Sequence, residues 1–507
     1  MLLLMPFILV IIQCELSTGN KIKTDIDPSK TIIWGPGLRS EEVVMRARYI
    51  FLQLYDTDGK NITESPGDGI VMTQIQGETE EGNPCHLWKQ VFDCKDGSFI
   101  IRYKIYRTCY NLNIILRIKG KDVPGTPLTF KGPLYEEECD CPNPSITNWL
   151  NNYECPENYE QIQRDLAPFE SVDFDEMRNA IIQRFDRPNS VSICHYIIKD
   201  NKVYRRCYGQ HVDFKIFVDE IFLSLARKVI LPNVELFFNL GDWPLVSNSV
   251  PIHPIFSWCG SNDTMDIVLP TYDITVASLE NMGRVMLDML SVQGSTNIPW
   301  QNKKEKLFWR GRDSQRERLD LIDIAREHPD LFNASITNFF FFKDEIDKYG
   351  PRQNHVSFFT FFEYKYQLNI DGTVAAYRFP FLLAGDSLVF KQDSKYYEYF
   401  YKDLRPYEHY VPVKRDLSDL VEKILWAKKH DQEAYKISRT GRQYARKNLL
   451  PQNIICYHVV LLQEWRKRLK NRVNILPNME EVPQPEHACK CESGVNQENY
   501  IKSKDEL

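Results

Sequence analysis

The sequence predicts an α/β protein: a body of alternating strands and helices, preceded by an all-β, immunoglobulin-like sandwich. Two patterns point there. Short alternating apolar runs with turn signals fill residues 32–133, and strand-then-helix units fill residues 139–469. Length is the third observation, because 507 residues exceed what one core organises and the body alone calls for two lobes with a cleft between them.

Composition narrows the class. Hydrophobic residues make up 43%, aromatics 12% and charged residues 26%, which excludes a disordered tail protein, a collagen and a small disulfide scaffold. Sixty-three basic residues against 69 acidic give a net charge of −6, without a basic stripe, so nucleic acid is not an expected partner. The longest apolar run, Leu2 to Ile12, is shorter than the ~20 residues that span a bilayer, so no membrane span is expected.

That run is followed by Ser17-Thr18-Gly19 and reads as a secretory signal over residues 1–19, although no Lys or Arg precedes it; a buried first element is the alternative. At the other end stand Lys504, Asp505, Glu506 and Leu507, a retrieval address for the endoplasmic reticulum lumen that implies the KDEL receptor as a partner. Of 13 cysteines, Cys14 leaves with the signal and 12 remain for pairing in an oxidising space. Cys139, Cys141, Cys155 and Cys456 flank the body, and Cys489-Lys490-Cys491 lies beyond it. Zinc is the competing idea, but no His or second Cys pair stands at zinc spacing. Glycosylation sequons start at Asn61, Asn262 and Asn333.

The elements follow in order. Sandwich strands are expected at 47–52, 98–103 and 112–116, separated by Asp58-Gly59 and Asp96-Gly97. In the body, Val234–Phe238 and Leu307–Trp309 are strands, with a helix from Gln315 to His328. Tyr366–Ile370 is a strand leading through a loop into a helix over Val374–Leu383. Strands at Ser387–Lys391 and His409–Val413 and helices at Leu417–His430 and Glu433–Leu449 complete it, and residues after Pro477 read as a flexible tether.

Three constellations carry chemistry. Asn239-Leu240-Gly241-Asp242-Trp243-Pro244 puts a carboxylate at the mouth of a strand, able to take a proton from a hydroxyl; a turn or cap is the plainer use of such an Asp. Phe308-Trp309-Arg310-Gly311-Arg312-Asp313-Ser314, continuing to Arg316 and Arg318, offers N–H groups and guanidinium forks suited to a diphosphate; a charged exposed helix is the default reading. Asn369-Ile370-Asp371-Gly372 leads into Thr373, Val374, Ala375, Ala376, Tyr377 and Arg378. Small residues there let a ligand approach the backbone, with Arg378 about one and a half turns into the expected helix. Asp-x-Asp pairs occur at Asp56/Asp58 and Asp173/Asp175, away from strand ends of the body, so no metal is expected.

Trp34-Gly35-Pro36-Gly37-Leu38, Asp96-Gly97-Ser98-Phe99 and Gly120 to Pro127 resemble a filamin-type immunoglobulin repeat over residues 28–133, which implies a peptide- or protein-binding domain or a plain spacer. Residues 139–470 resemble the Rumi-like, capsule-associated family of protein O-glucosyltransferases. The three constellations carry the likeness, with Tyr364-Lys365-Tyr366, Gly385 to Phe390 and His409 to Lys414. That resemblance implies a GT-B-type fold with Rossmann-like lobes at about 160–295 and 300–450, and a tail over 477–507. It implies metal-independent, inverting transfer of glucose from UDP-glucose, with UDP-xylose as the alternative donor. The acceptor it implies is a serine between the third and fourth cysteines of EGF-like repeats in Notch-like or fibrillin-like secreted and cell-surface proteins. By position, Asp242 matches the family's base, Arg318 and Thr373 to Arg378 match residues that hold UDP, and Arg310 and Gly311 match the donor loop. Arg312 stands where Rumi-like relatives carry Ser, and their paired-cysteine acceptor loop near Cys207 is missing. The family pattern bridges one of Cys139 and Cys141 to Cys155 and the other to Cys456. A catalytically inactive binding protein for EGF-repeat clients is the alternative from another class.

Overall fold

In the computed structural model, the described residues are 25–67, 69–248, 251–279, 288–295, 298–487 and 489–491. The signal segment and the Lys504–Leu507 address lie outside them.

The sandwich forms where alternation is strictest. Strand Tyr110–Ile118 buries Leu112, Ile114, Leu116 and Ile118 on one face. It pairs antiparallel with Val71–Glu78, Lys121–Asp122 and Leu128–Phe130. The opposing sheet runs Ile32–Trp34, Arg48–Gln53, Ser98–Ile105, Leu87–Asp93, all antiparallel. Arg48–Gln53 is buried on both faces: Ile50 and Leu52 fill the sandwich, while Tyr49 and Phe51 join the core of the α/β body.

The second face is a docking surface. Arg102 Nη1 donates to both carboxylate oxygens of Asp288 at 3.0 Å, and its Nη2 reaches Ser291 Oγ at 3.0 Å. Arg439 binds Asp96 at 2.9 Å, and Arg446 donates to Ser98 Oγ at 3.2 Å. Burial alone would raise the Asp96 carboxyl, yet the guanidiniums of Arg442, Arg446 and Arg439 hold it well below the ordinary carboxylate value. Gly294 has no room for a side chain, since a Cβ would stand 2.3 Å from the Phe92 ring. The Tyr153 hydroxyl, on the first helical stretch of the body, donates to the Val44 carbonyl at 2.6 Å.

The body has two large sheets, and a small third one in which Gly260–Ser261 pairs antiparallel with Tyr396–Tyr397. The N-terminal one has six strands in the order Ile267–Val268, Ile255–Ser257, Val234–Asn239, Ile193–Lys199, Lys202–Tyr208, Glu480–Val482. The C-terminal one has five, all parallel, in the order Phe332–Asn338, Lys304–Arg312, Tyr364–Asn369, Leu388–Gln392, Val411–Val413. In chain order this is 2-1-3-4-5. Its topological switch point lies between strands Lys304–Arg312 and Tyr364–Asn369, where open α/β sheets bind ligands at their carboxyl ends. The helix Pro451–Arg466 then returns to the first lobe, where Trp465 Nε1 donates to the Glu235 carbonyl at 2.8 Å and Tyr457 to the Val268 carbonyl at 3.1 Å.

Four expectations are corrected. The helix expected over Val374–Leu383 spans only Phe379–Ala384, and Arg378 is its N-cap. Pro380 lacks an N–H and is tolerated only in a first turn, so the preceding residues form a loop. Residues after Pro477 are not a free tether as far as Cys491: Glu480–Val482 pairs antiparallel with Lys202–Tyr208. Cys139 and Cys141 bridge to neither Cys155 nor Cys456. They pair in register with Cys489 and Cys491, because two Cys-x-Cys segments run alongside each other with 5.5 Å between Cα atoms in both pairs. Cys155 itself bridges to Cys456. Finally, Cys207 is joined to Cys194 across a hairpin, Cys85 pairs with Cys109, and Cys94 and Cys259 are buried free thiols rather than members of bridges. No helix among the described residues is long and apolar enough to cross a membrane.

Candidate active site between the lobes

Asp242 stands where the buried strand Val234–Asn239 runs out. Asn239 pins the turn after it: its Oδ1 accepts from Gly241 N at 2.9 Å, and its Nδ2 donates to the Trp243 carbonyl at 2.6 Å and to Ser257 Oγ at 3.1 Å. Buried Asp266 accepts from the N–H groups of Leu245 and Val246 at 2.8 and 2.9 Å. Cys259 Sγ donates to the Asp242 carbonyl at 3.2 Å. The backbone is thus fixed on several sides, while the carboxylate accepts no hydrogen bond from any described residue. Burial raises its pKa against the pull of Arg312 from the opposite lobe.

Across the gap, Arg318 sits in the first turn of helix Arg316–Glu327 and stitches the switch point together. Its Nε donates to the Asp371 carbonyl at 2.7 Å, Nη2 to Ile370 at 3.2 Å and Nη1 to Arg312 at 2.9 Å. Gly372 passes beside it, with Nη2 of Arg318 only 3.2 Å from where a Cβ would stand. Desolvation and Arg378 bring Arg318 down to about 9. Arg378 Nη1 donates to the Arg310 carbonyl at 2.6 Å, and desolvation with Arg312 brings it to about 10 despite Asp273. Thr373 is half-buried and Val374, Ala375, Ala376 and Tyr377 are buried. The N–H groups from Thr373 to Arg378 donate to no described acceptor, and they lie in a loop free of regular structure.

Arg310 and Gly311 occupy the same strand but serve differently. The Arg310 guanidinium is engaged by the Asn333 carbonyl at 2.8 Å and Asn333 Oδ1 at 2.7 Å, and lies over the Phe308 ring. The Arg310 carbonyl accepts from Arg378. Gly311 is required by packing, since a Cβ would stand 2.5 Å from the Trp309 indole. Among the sequons, Asn61 and Asn262 are exposed, whereas half-buried Asn333 donates to the Tyr364 hydroxyl at 2.7 Å.

Two acids here have surroundings that the sequence does not announce. Asp273, in the first turn of helix Tyr272–Leu279, has its carboxyl raised to about 6 by desolvation and by Asp242, against Arg378. Buried Asp313 accepts the N–H groups of Phe340, Phe341 and Phe342 at 2.7, 2.9 and 2.7 Å, ordering the loop after strand Phe332–Asn338. A lone Asp at a helix start or after a strand signals nothing beyond a cap.

A mixed six-stranded sheet followed by an all-parallel 2-1-3-4-5 sheet, with Asp242 just past a strand of the first and Arg318 and Arg378 beyond strands of the second, is the α/β architecture of a GT-B-type body. The chain belongs to glycosyl transferase family 90, whose family model matches residues 150–506, and residues 25–129 match the filamin/ABP280 repeat. It is 50% identical over 459 residues to protein O-glucosyltransferase 2 of Danio rerio, covering 90% of this chain and 91% of that one. It is 45% identical over 477 residues to protein O-glucosyltransferase 3 of Homo sapiens, covering 92% and 93%. With protein O-glucosyltransferase 1 of Homo sapiens it shares 30% over 352 residues, covering 65% and 86%.

Proposed function

We propose that this glycosyltransferase moves glucose from UDP-glucose to a serine hydroxyl of EGF-like repeats, in the endoplasmic reticulum lumen. Asp242 is the general base; Arg318, Arg378 and the N–H run from Thr373 to Arg378 receive the diphosphate. The observation that carries this reading is the pairing of an unpartnered carboxylate of raised pKa on one lobe with desolvated arginines on the other. The names of the relatives, all protein O-glucosyltransferases, supply the sugar and the protein acceptor.

The step is a single displacement. The serine oxygen attacks the anomeric carbon, its proton passes to Asp242, and the bond from that carbon to the diphosphate oxygen breaks with its electron pair leaving on UDP. One inversion results, so an α-linked donor yields a β-linked product. Charge gathers on the diphosphate, where two guanidiniums and preorganised N–H groups do the work a divalent cation does elsewhere. The signal segment, Lys504–Leu507 and the disulfides support the lumenal assignment.

The test is transfer from UDP-glucose, and separately UDP-xylose, to folded EGF repeats in excess chelator, with product mass and anomeric configuration measured. The expected product is a β-linked hexose on the serine between the third and fourth cysteines. Turnover that disappears in chelator and returns with manganese contradicts the metal-free mechanism; an α-linked product contradicts the single displacement.

A further inference from the structure

The small third sheet takes one strand from each lobe. Gly260–Ser261 lies between strands Ile255–Ser257 and Ile267–Val268 of the N-terminal sheet, and Tyr396–Tyr397 follows strand Leu388–Gln392 of the C-terminal one. Gly260 stands opposite Tyr397, and Ser261 opposite Tyr396. The Asn262 N–H extends the ladder to the Lys395 carbonyl at 2.9 Å, and Lys395 Nζ reaches Asp263 at 3.1 Å. Gly260 and Ser261 are buried. A Cβ at 260 would stand 2.4 Å from the Tyr397 ring, so the bare backbone of Gly260 is what lets that ring close over the pair.

Each strand of the pair is tied to one half of the site. On the N-terminal lobe Gly260 follows Cys259, whose thiol donates to the Asp242 carbonyl at 3.2 Å. On the C-terminal lobe Ser394 Oγ accepts from the Tyr396 N–H at 2.9 Å and donates to Asp371 Oδ2. The Asp371 carbonyl in turn accepts from Arg318 Nε at 2.7 Å. A run of bonded and adjacent groups therefore leads from the backbone of residue 242 to the guanidinium of residue 318, and it crosses between the lobes at this pair of strands.

In-line displacement needs base and leaving group on opposite sides of one carbon, and an error of about 1 Å in their placement costs on the order of 10²-fold in rate. Here the two groups belong to different sheets, so lobe must be fixed against lobe. We propose that Gly260–Ser261 and Tyr396–Tyr397 form an interlobe strap that sets the spacing between Asp242 and Arg318, with Gly260, Tyr397 and Ser394 as positioning residues. This rests on the reading that Asp242 is the base and Arg318 holds the diphosphate. The strap governs transfer and not nucleotide affinity, because the diphosphate groups assigned above, Arg318 and the stretch from Thr373 to Arg378, all belong to the C-terminal lobe.

The experiment compares the full-length wild type with Gly260→Val, Tyr397→Ala, the double variant, Ser394→Ala and Asp242→Asn. Single-turnover transfer to a folded EGF repeat is recorded, UDP binding is measured by calorimetry, and thermal melting verifies folding. Gly260→Val is expected to slow transfer about tenfold or more, with the Kd for UDP within about twofold of wild type. Removing the ring makes room for the valine, so in the Tyr397→Ala background the same substitution costs less than about threefold. Ser394→Ala adds no volume and is expected to slow transfer about threefold or more at unchanged UDP affinity; it decides the question if Gly260→Val does not fold. Wild-type rates in Gly260→Val and Ser394→Ala, a loss that Tyr397→Ala does not diminish, or UDP binding that falls together with the rate overturns the strap and leaves the base and donor readings intact. Transfer by Asp242→Asn at the wild-type rate overturns both.

Discussion

In the proposed mechanism Asp242 works as a base only when ionised, and its environment sets where that happens. Burial lifts its pKa, and Arg312 across the cleft pulls it down. Activity is therefore full above that raised value and is lost as pH falls through it. The acid limb of kcat/KM is expected above the ordinary carboxylate range, and Arg312→Ala, which removes the opposing charge, moves it to higher pH; a pH–rate profile checks both. Arg318 makes a second prediction. One guanidinium serves carbonyls of Asp371, Ile370 and Arg312 at once, which a lysine ammonium cannot do. Arg318→Lys is expected to weaken UDP binding by tenfold or more and to cost about 1–3 kcal/mol of stability through unpaired carbonyls, read by calorimetry and urea unfolding. That Asp242 follows a strand, and that Arg318 and Arg378 follow strands at the start of the next helices, is legible in the sequence, because an apolar run that gives way to Gly within a few residues announces the end of a strand. The use of Arg310 is not, since nothing in the sequence says that the Asn333 side chain will claim its guanidinium.

At the scale of elements, strands and long amphipathic helices are readable from periodicity, and their observed limits differ by a few residues. The loop from Gly372 to Arg378 is the instructive miss: small residues suggest a helix, but Pro380 forbids one upstream, and the unwound stretch is what leaves its N–H groups free. The returning helix Pro451–Arg466 carries a further consequence. His458 is buried, donates from Nδ1 to the Ile454 carbonyl at 2.8 Å, and has no partner at Nε2. Desolvation lowers its pKa to about 4. The unfolded chain binds this proton from about pH 6.5 downward and the folded one does not, so the stabilisation present above pH 6.5 is lost toward pH 4. The loss amounts to about 3 kcal/mol for this residue alone. Melting curves between pH 7.5 and 5 are expected to fall, and less steeply in His458→Leu.

At the scale of the whole molecule, the sandwich is part of the enzyme body. A sequence shows a domain by its alternation but cannot show that its second face is covered; the run of buried residues in Arg48–Gln53, odd positions included, was the available hint. Arg102 and Asp288 are both nearly inaccessible, and removing one leaves the other buried and unpaired. Asp288→Ala is expected to destabilise the protein by about 3–5 kcal/mol, whereas a flexibly tethered spacer predicts an unchanged urea midpoint of the transferase. The two Cys-x-Cys segments extend this integration to the tail, fastening residues 489 and 491 to the junction between sandwich and body.

The central claim is that a carboxylate on one lobe takes the acceptor proton while arginines on the other hold the leaving diphosphate. It is tested most directly by measuring, for Asp242→Asn and wild type, single-turnover glucose transfer to a folded EGF repeat together with the Kd for UDP. The predicted result is a rate reduced by ~10²–10⁴ with UDP affinity unchanged. A variant that transfers at the wild-type rate, or one whose lost activity is matched by lost UDP binding, contradicts it.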